Sequence, residues 1–226
     1  VVTVLRDRDN PDEGTINIAT MRLFSTADTP APDPIIYLDG GPGSPSLETA
    51  ALQYDQLYAP HVPTRDVIIF DQRGIGNSEP SLACDAIDEL DYDLLANDYP
   101  IDEAASLALN AYAECTATLS EQTDFNDFNS SENAADVVDV LRALGYDEWN
   151  LYGISYGSML AQFVLRDNPE GTRSVVLDSN VPLVVDLFDN IPTNFRIALD
   201  EMIAACGADV ACSTAYPDID GTLNSV

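Results

Sequence analysis

The sequence contains no lysine at all and only one histidine, His61. Its positive charge comes from nine arginines, which face 39 acidic residues and leave a formal net charge of −30. A chain this negative repels nucleic-acid phosphates and anionic lipid headgroups, so we expect neither as a partner. The acidity has two interpretations: a solvated surface that maintains solubility, or adaptation to high salt, where ions screen the self-repulsion. The absence of lysine favours the second.

Long apolar segments are also missing. No run of about 18 apolar residues occurs, so the sequence predicts no membrane span. Residues 1–4 do not show a basic stretch that leads into an apolar core, and we therefore expect that any export signal is absent or has been removed. The cysteines form no CxxC pair and have no histidine at zinc-ligand spacing, so we expect no metal site and no cofactor.

The four cysteines point to the compartment of the protein. An even number suggests two disulfides and an oxidising environment. Three pairings are conceivable, and closure of the shortest loops favours Cys84 with Cys115 and Cys206 with Cys212. Four buried free thiols are the alternative, because unpaired cysteine is often buried as a small apolar residue.

Continuous apolar runs separated by helical patterns predict a parallel sheet covered on both faces. Residues 34–38 and 66–71 are two such runs, and each is followed by a glycine-rich segment. From residue 182 the pattern becomes helical, and residues 80–129 form a polar, acidic excursion that contains Cys84 and Cys115. Further strands are predicted at residues 2–6, 15–24, 149–152 and 173–177, and helices at residues 47–58, 101–119, 134–144, 158–167 and 195–205.

A GxSxG sequence, Gly153 to Gly157, lies between a predicted strand and a predicted helix. A nucleophile elbow occupies this position, and it raises Ser155 above the carboxyl ends of the strands. Gly153 and Gly157 suit such a bend, because side chains there would collide with the neighbouring strand and helix. An ordinary strand-to-helix turn is the alternative interpretation.

The glycine loop after residues 35–38 supplies the second half of the predicted site. An oxyanion hole needs two backbone N–H donors that point at the developing negative charge. We expect one donor from Tyr156 and the other from Gly41, in a loop completed by Gly40, Pro42 and Gly43. Glycines let the backbone approach a substrate closely, and the proline stiffens the loop.

Three segments, residues 38–43, 70–78 and 151–157, resemble the proline iminopeptidase and tripeptidyl aminopeptidase family of α/β-hydrolases. The resemblance implies an α/β-hydrolase core over residues 1–181 and the beginning of a helical cap over residues 182–226. It also implies an exported aminopeptidase that forms an acyl-enzyme on Ser155. Residues 206–217 are similar to the start of the cap in the secreted branch, which supports two disulfides. Asp39 departs from the pattern, since proline iminopeptidases usually carry histidine there.

The general base is missing from the expected site. In this fold the acid and the histidine follow the serine, whereas His61 precedes it and enters the sheet at the amino ends of the strands. Asp178 ends a strand on the correct side and is a weaker candidate for the acid. We therefore expect the last strands, the triad acid and the histidine to lie in sequence not shown or in a second chain.

Other functions fit the same residues. An esterase would use the same elbow and oxyanion hole on amide- or ester-like small substrates. A non-catalytic surface or binding protein could retain the fold after loss of the base. The sequence favours the aminopeptidase, acting on a peptide in an extracellular or periplasmic, salt-rich environment.

Overall fold

The computed structural model describes residues 1–223. By its internal contacts the chain divides into a unit of residues Val1–Asn180 and a unit that begins at Val181. None of the helices in residues 1–223 combines the length and the apolar character that a membrane crossing requires.

A five-stranded sheet forms the centre of the first unit. β3 runs antiparallel to β5, and the other neighbouring strands are parallel, which confirms the predicted mostly parallel sheet. In order across the sheet, the strands are β3 (Thr20–Leu23), β5 (Val67–Phe70), β4 (Ile35–Leu38), β6 (Trp149–Ile154) and β7 (Thr172–Asp178). Because β5 and β6 lie on opposite sides of β4, the carboxyl end of β4 is a switch point of the kind at which α/β sheets bind ligands.

Helices cover the sheet on both faces, and the strand residues alternate between two cores. Ile36 belongs to a core that contains Val137 of α4 and Leu160 of α5, whereas Tyr37 faces a second core with Ala50 of α1. This alternation follows from the two-residue period of a strand. The helices of the first unit are α1 (Ser46–Gln53), α2 (Asp85–Ala96), α3 (Ile101–Ser120), α4 (Ser130–Ala143) and α5 (Tyr156–Asp167).

The amino-terminal segment differs from the prediction. Instead of one strand over residues 15–24, β2 (Thr15–Ile18) pairs with β1 (Val2–Leu5), and β3 joins the large sheet. The break falls at Ala19, whose N–H donates to Ser78 Oγ at 2.9 Å and whose carbonyl accepts from the Asp71 N–H at 3.0 Å. Both backbone groups of this residue are thus taken by the segment that follows β5, and the chain leaves one sheet for the other.

Helix α4 starts earlier than the pattern of apolar residues indicated. Its N-cap is Asn129, whose side-chain oxygen accepts hydrogen bonds from the N–H groups of Ser131 and Glu132. Asparagine is among the strongest N-cap residues because it satisfies amides that the first turn leaves unpaired. The sequence indicates residues 130–133 as the cap of a helix over residues 134–144, whereas in the structure these four residues form its first turn.

The two cysteine pairs favoured by the sequence are both disulfides. Cys84–Cys115 links the start of α2 to α3, with a Cα–Cα distance of 5.9 Å, within the helical excursion. Cys206–Cys212 links α6 to α7 in the second unit. The helices of that unit are α6 (Leu187–Ala208), α7 (Val210–Ala215) and α8 (Ile219–Leu223).

Candidate active site

Ser155 occupies a sharp turn between β6 and α5. Its backbone has φ 53° and ψ −121°, a region that non-glycine residues adopt only under strain. The residue is exposed to solvent. A strained, exposed serine after a parallel strand and before a helix has the backbone geometry of a nucleophile elbow.

The glycines on either side of Ser155 are required by close backbone contacts. A Cβ atom added at Gly157 would lie 1.8 Å from the Leu38 carbonyl oxygen, and one added at Gly153 would lie 2.2 Å from the Gly157 carbonyl oxygen. Neither contact can be relieved by moving a side chain, since both neighbours are backbone atoms. The elbow can therefore pack this tightly against β4 only with glycine at both positions.

The glycine loop after β4 lies directly against the serine. Leu38 pairs with Gly153 across the β4–β6 ladder, so the two strands end at the same edge of the sheet. A Cβ atom added at Gly40 would lie 3.1 Å from the Ser155 Cβ and 3.6 Å from its Oγ. The loop and the elbow, distant in sequence, thus form one surface.

The two amides expected to form an oxyanion hole have no protein acceptor within residues 1–223. Tyr156 is the first residue of α5, where the amides of a helix lack intrahelical partners and carry its positive dipole end. Gly41 has φ 105°, which favours glycine. A cavity of about 790 Å³ opens beside this loop, with Pro42, Gly43 and Tyr156 in its lining.

Sequence reasoning missed the polar residues that support the loop. Gln72 Nε2 donates to the Asp39 carbonyl at 3.1 Å, and Asn133 Nδ2 donates to Gln72 Oε1 at 2.6 Å. The Asp39 side chain accepts a hydrogen bond from the Gly40 N–H, at the start of the loop. Gln72 lies inside a segment that carries the family resemblance, which is the signal for it, whereas Asp39 is the position at which this sequence departs from the pattern.

Asp178 lies at the same edge of the sheet as Ser155. Its carbonyl accepts from the Ser155 N–H at 3.0 Å, and its Oδ2 accepts from the Tyr152 hydroxyl at 3.0 Å. Burial and this hydrogen bond raise the pKa of Tyr152. The carboxylate is thus engaged by a tyrosine, and its backbone ties the end of β7 to the elbow.

His61 lies at the other end of the sheet. It lines a second cavity with Ile35 and Asn150, which lie at the amino ends of β4 and β6. Burial lowers the pKa of His61, and the nearby Arg65 lowers it further. The only imidazole of the sequence therefore does not lie beside Ser155.

Three carboxylates approach one another closely enough to hold a cation. Within residues 1–223, Asp7, Glu13 and Asp127 place one oxygen each within 4.8 Å of the others. Arg6 already forms an ion pair with Asp127. This group lies outside the Ser155 loop system.

The arrangement of elbow, loop and sheet agrees with the comparison of the chain with known families. The model of the alpha/beta hydrolase fold matches residues 33–215. The chain belongs to the alpha/beta hydrolase fold family. As an α/β-hydrolase it carries its serine after β6 and its glycine loop after β4, the two positions from which this fold builds its active site.

Named relatives of this α/β-hydrolase include two peptidases. Serine protease Hip1 of Mycobacterium tuberculosis is 27% identical over 218 residues, which cover 91% of this chain and 41% of Hip1. Tripeptidyl aminopeptidase of Streptomyces lividans is 30% identical over 188 residues, which cover 80% of this chain and 34% of that protein. The chain thus spans well under half the length of these relatives.

A solved structure supports the fold independently. Proline iminopeptidase of Mycobacterium smegmatis superposes with a TM-score of 0.53 at 20% sequence identity, over 96% of this chain and 56% of that one. At this identity the likeness concerns the fold. The named relatives, a serine protease and a tripeptidyl aminopeptidase, agree with the type of α/β-hydrolase that the three motifs indicated.

Proposed function

We propose that the protein is a serine peptidase of the aminopeptidase type, with Ser155 as its nucleophile. The observation that carries this proposal is the contact between the strained Ser155 and the Gly40 loop, beside two amides that have no protein acceptor. In the reaction, Ser155 Oγ attacks the carbonyl carbon of the scissile bond. The general base takes the proton of the Ser155 hydroxyl, and the Gly41 and Tyr156 amides stabilise the tetrahedral oxyanion. The C–N bond then breaks as the base gives this proton to the leaving amine, and water hydrolyses the acyl-enzyme.

The general base comes, in this proposal, from residues outside the sequence, either in the same protein or in a second chain. His61 lies at the amino ends of the strands, and the relatives are more than twice as long as the matched region. The edge strand β7 also exposes Val176 and Leu177, at 48% and 37%, as expected where further structure covers the sheet. Without a base Ser155 keeps the reactivity of an alcohol, so we expect the 226 residues alone to be inactive.

The proposed substrate is the amino-terminal part of a peptide. The names of two relatives, a serine protease and a tripeptidyl aminopeptidase, support amide hydrolysis and removal of short amino-terminal peptides. The cavity beside the loop and Tyr156 offers space for the acyl portion.

We also propose that the protein acts outside the cytoplasm, in salt-rich surroundings. Two disulfides support an oxidising compartment. A net charge of −30 without lysine supports high salt, because ions shorten the range of the repulsion from about 10 Å at 0.1 M to about 3 Å at 1 M.

Salt is accordingly expected to stabilise the protein. Raising KCl from roughly 0.1 M to 1 M should increase the melting temperature of the natural full-length protein, since screening weakens the repulsion among its carboxylates. Calorimetry checks this, with sucrose at matched osmolality as an uncharged control. A melting temperature that falls with KCl, or that rises equally with sucrose, would contradict adaptation to salt.

A fluorophosphonate probe tests the function on the natural full-length protein. We expect one covalent adduct, located at Ser155 by peptide mass spectrometry, and hydrolysis of aminoacyl and tripeptidyl p-nitroanilides. Amino-terminally acetylated versions of the same substrates are the control, because an aminopeptidase requires a free amine. Turnover of short acyl esters without amide hydrolysis would indicate an esterase, and an unlabelled Ser155 would indicate a non-catalytic protein.

A further inference from the structure

Asp39 is a buried acidic residue that the proposed chemistry does not use. It follows β4 directly and precedes the glycine loop, and only 8% of its surface is exposed. A buried carboxylate is costly unless hydrogen bonds replace its lost hydration. Its partners therefore show what it does.

The Asp39 carboxylate joins the two ends of the loop. Its Oδ1 accepts a hydrogen bond from the Gly40 N–H at 2.7 Å, where the loop begins. Its Oδ2 accepts one from Ser46 Oγ at 3.1 Å, where the loop ends and α1 begins. One side chain thus fixes both ends of the segment that contains Gly41.

Such a clamp matters because the loop has little stiffness of its own. Gly41 and Gly43 both have positive φ, 105° and 117°, and glycine has the widest conformational freedom when nothing restrains it. Gly40 is also close to the nucleophile, since a Cβ atom added at Gly40 would lie 3.1 Å from the Ser155 Cβ. A shift at Gly40 would therefore move the Gly41 amide relative to the reacting hydroxyl.

A second buried carboxylate restrains the same helix start. Asp71, which is fully buried, accepts from the Leu47 N–H at 2.9 Å and from the Asn77 N–H at 2.8 Å. The first turn of α1 is thus bound to the loop that follows β5. The glycine loop consequently connects the end of β4 to a helix whose first turn is fixed by Asp71. Of the two carboxylates, Asp39 is the one that accepts a hydrogen bond from the loop itself, at Gly40.

We propose that Asp39 is the positioning residue of the oxyanion hole: its carboxylate accepts from Gly40 and Ser46 and so holds the loop with the Gly41 N–H directed, like the Tyr156 N–H, at the substrate oxygen. This inference rests on the proposed hydrolase function. It assigns Asp39 no contact with substrate. Its effect passes through the geometry of the loop, and it should therefore appear in kcat rather than in KM.

Asp39→Ala and Asp39→Asn test the proposal in the natural full-length enzyme. Asp39→Ala should lower kcat by roughly 100-fold with little change in KM, as expected when a transition-state donor is misplaced. Asp39→Asn should restore kcat to within about tenfold of the wild type, because its oxygen can accept from Gly40 and its amide can donate to Ser46 Oγ. The rate of fluorophosphonate labelling should fall and recover in parallel.

Asp33→Ala is the matched control. Asp33 is a 2% exposed carboxylate at the opposite end of β4, bound by Arg65 and by Asn150 Nδ2 at 2.7 Å. Its replacement should lower the melting temperature and leave kcat nearly unchanged. If Asp39→Ala does not fold, Ser46→Ala removes only one end of the clamp and should lower kcat by about tenfold.

The outcomes distinguish the positioning role of Asp39 from the proposed hydrolase function. If the wild type hydrolyses peptides but Asp39→Ala behaves like Asp33→Ala, Asp39 has a structural role and the positioning proposal is wrong. The same holds if Asp39→Asn loses as much activity as Asp39→Ala. If the wild type neither hydrolyses peptides nor reacts with fluorophosphonate, the hydrolase function itself is wrong and the positioning role is lost with it.

Discussion

Ser155→Ala should lower kcat of the natural full-length enzyme by roughly 10⁶-fold, the loss seen when a catalytic nucleophile is removed from a serine hydrolase. The amides proposed to form the oxyanion hole belong to the backbone of Gly41 and Tyr156, so the substitution leaves them in place. Substrate should consequently bind with similar affinity while acyl-enzyme formation stops. Steady-state kinetics on a tripeptidyl p-nitroanilide and mass spectrometry after fluorophosphonate treatment measure the two effects.

The fold should tolerate this change. Ser155 is exposed, and alanine adopts the same backbone conformation at a similar cost, so circular dichroism and the melting temperature should match the wild type. Ser120→Ala is a suitable control, because that hydroxyl donates to the Ala117 carbonyl at the end of α3, outside the elbow and loop. Retention of more than about one thousandth of the wild-type kcat by Ser155→Ala would assign the nucleophile to another residue.

The parts of the site that the sequence predicted depend on short-range patterns. The apolar runs at residues 34–38 and 66–71 predict buried strands, and in the structure their side chains face a core on each side of the sheet. The glycines at 153 and 157 mark a bend, because backbone atoms occupy the space that a side chain would need at both positions. Each of these signals is contained in fewer than ten residues. Local chemistry was therefore sufficient to place Ser155 and the Gly40 loop at one edge of the sheet.

The parts that the sequence did not predict depend on contacts between distant residues. The strand break at Ala19 is caused by hydrogen bonds to Asp71 and Ser78, which come more than fifty positions later. The start of α4 at Ser130 depends on a cap by Asn129, and no apolar periodicity marks it. The clamp by Asp39 spans only seven positions, but its two donors become apparent only once the loop has folded back.

The ion pair between Arg73 and Asp136 is another contact between distant residues that the sequence did not predict. The two residues are 63 positions apart, and each is almost completely buried. The Arg73 guanidinium donates from Nε and Nη2 to the two carboxylate oxygens of Asp136, each at 2.7 Å. Arg8 donates to the same carboxylate at 2.8 Å. Burial raises the pKa of Asp136, whereas both arginines act against the rise.

This ion pair connects three parts of the first unit. Arg73 follows β5, Asp136 lies in α4, and Arg73 Nη1 also donates to the carbonyls of Arg6 and Asp127. A buried arginine with these partners cannot be replaced cheaply by an apolar residue, since the carbonyls would lose their donors. The network therefore holds the segment after β5, and through it Gln72, against α4 beside the glycine loop.

Asp136→Ala should consequently destabilise the natural full-length protein by roughly 3 kcal/mol, because it removes the two-pronged partner of the buried Arg73 and leaves Glu132 Oε2, at 3.4 Å, as the carboxylate beside it. Asp139→Ala is the matched control on the same helix: Asp139 also binds Arg8, at 2.7 Å, but its side chain is 42% exposed. A pair that water reaches so readily should contribute less than about 1 kcal/mol.

The measurement is the free energy of unfolding in urea, since guanidinium chloride would itself screen the charges under test. We expect the loss in Asp136→Ala to exceed the loss in Asp139→Ala several-fold, because the buried Asp136 carboxylate binds Arg73 and Arg8, whereas the half-exposed Asp139 carboxylate binds Arg8. Equal losses would mean that water reaches Asp136 in solution and that α4 is not held to the segment after β5 by this pair. A large loss confined to Asp136→Ala would show that the buried pair with Arg73, and not the exposed pair with Arg8, holds α4 to the segment after β5.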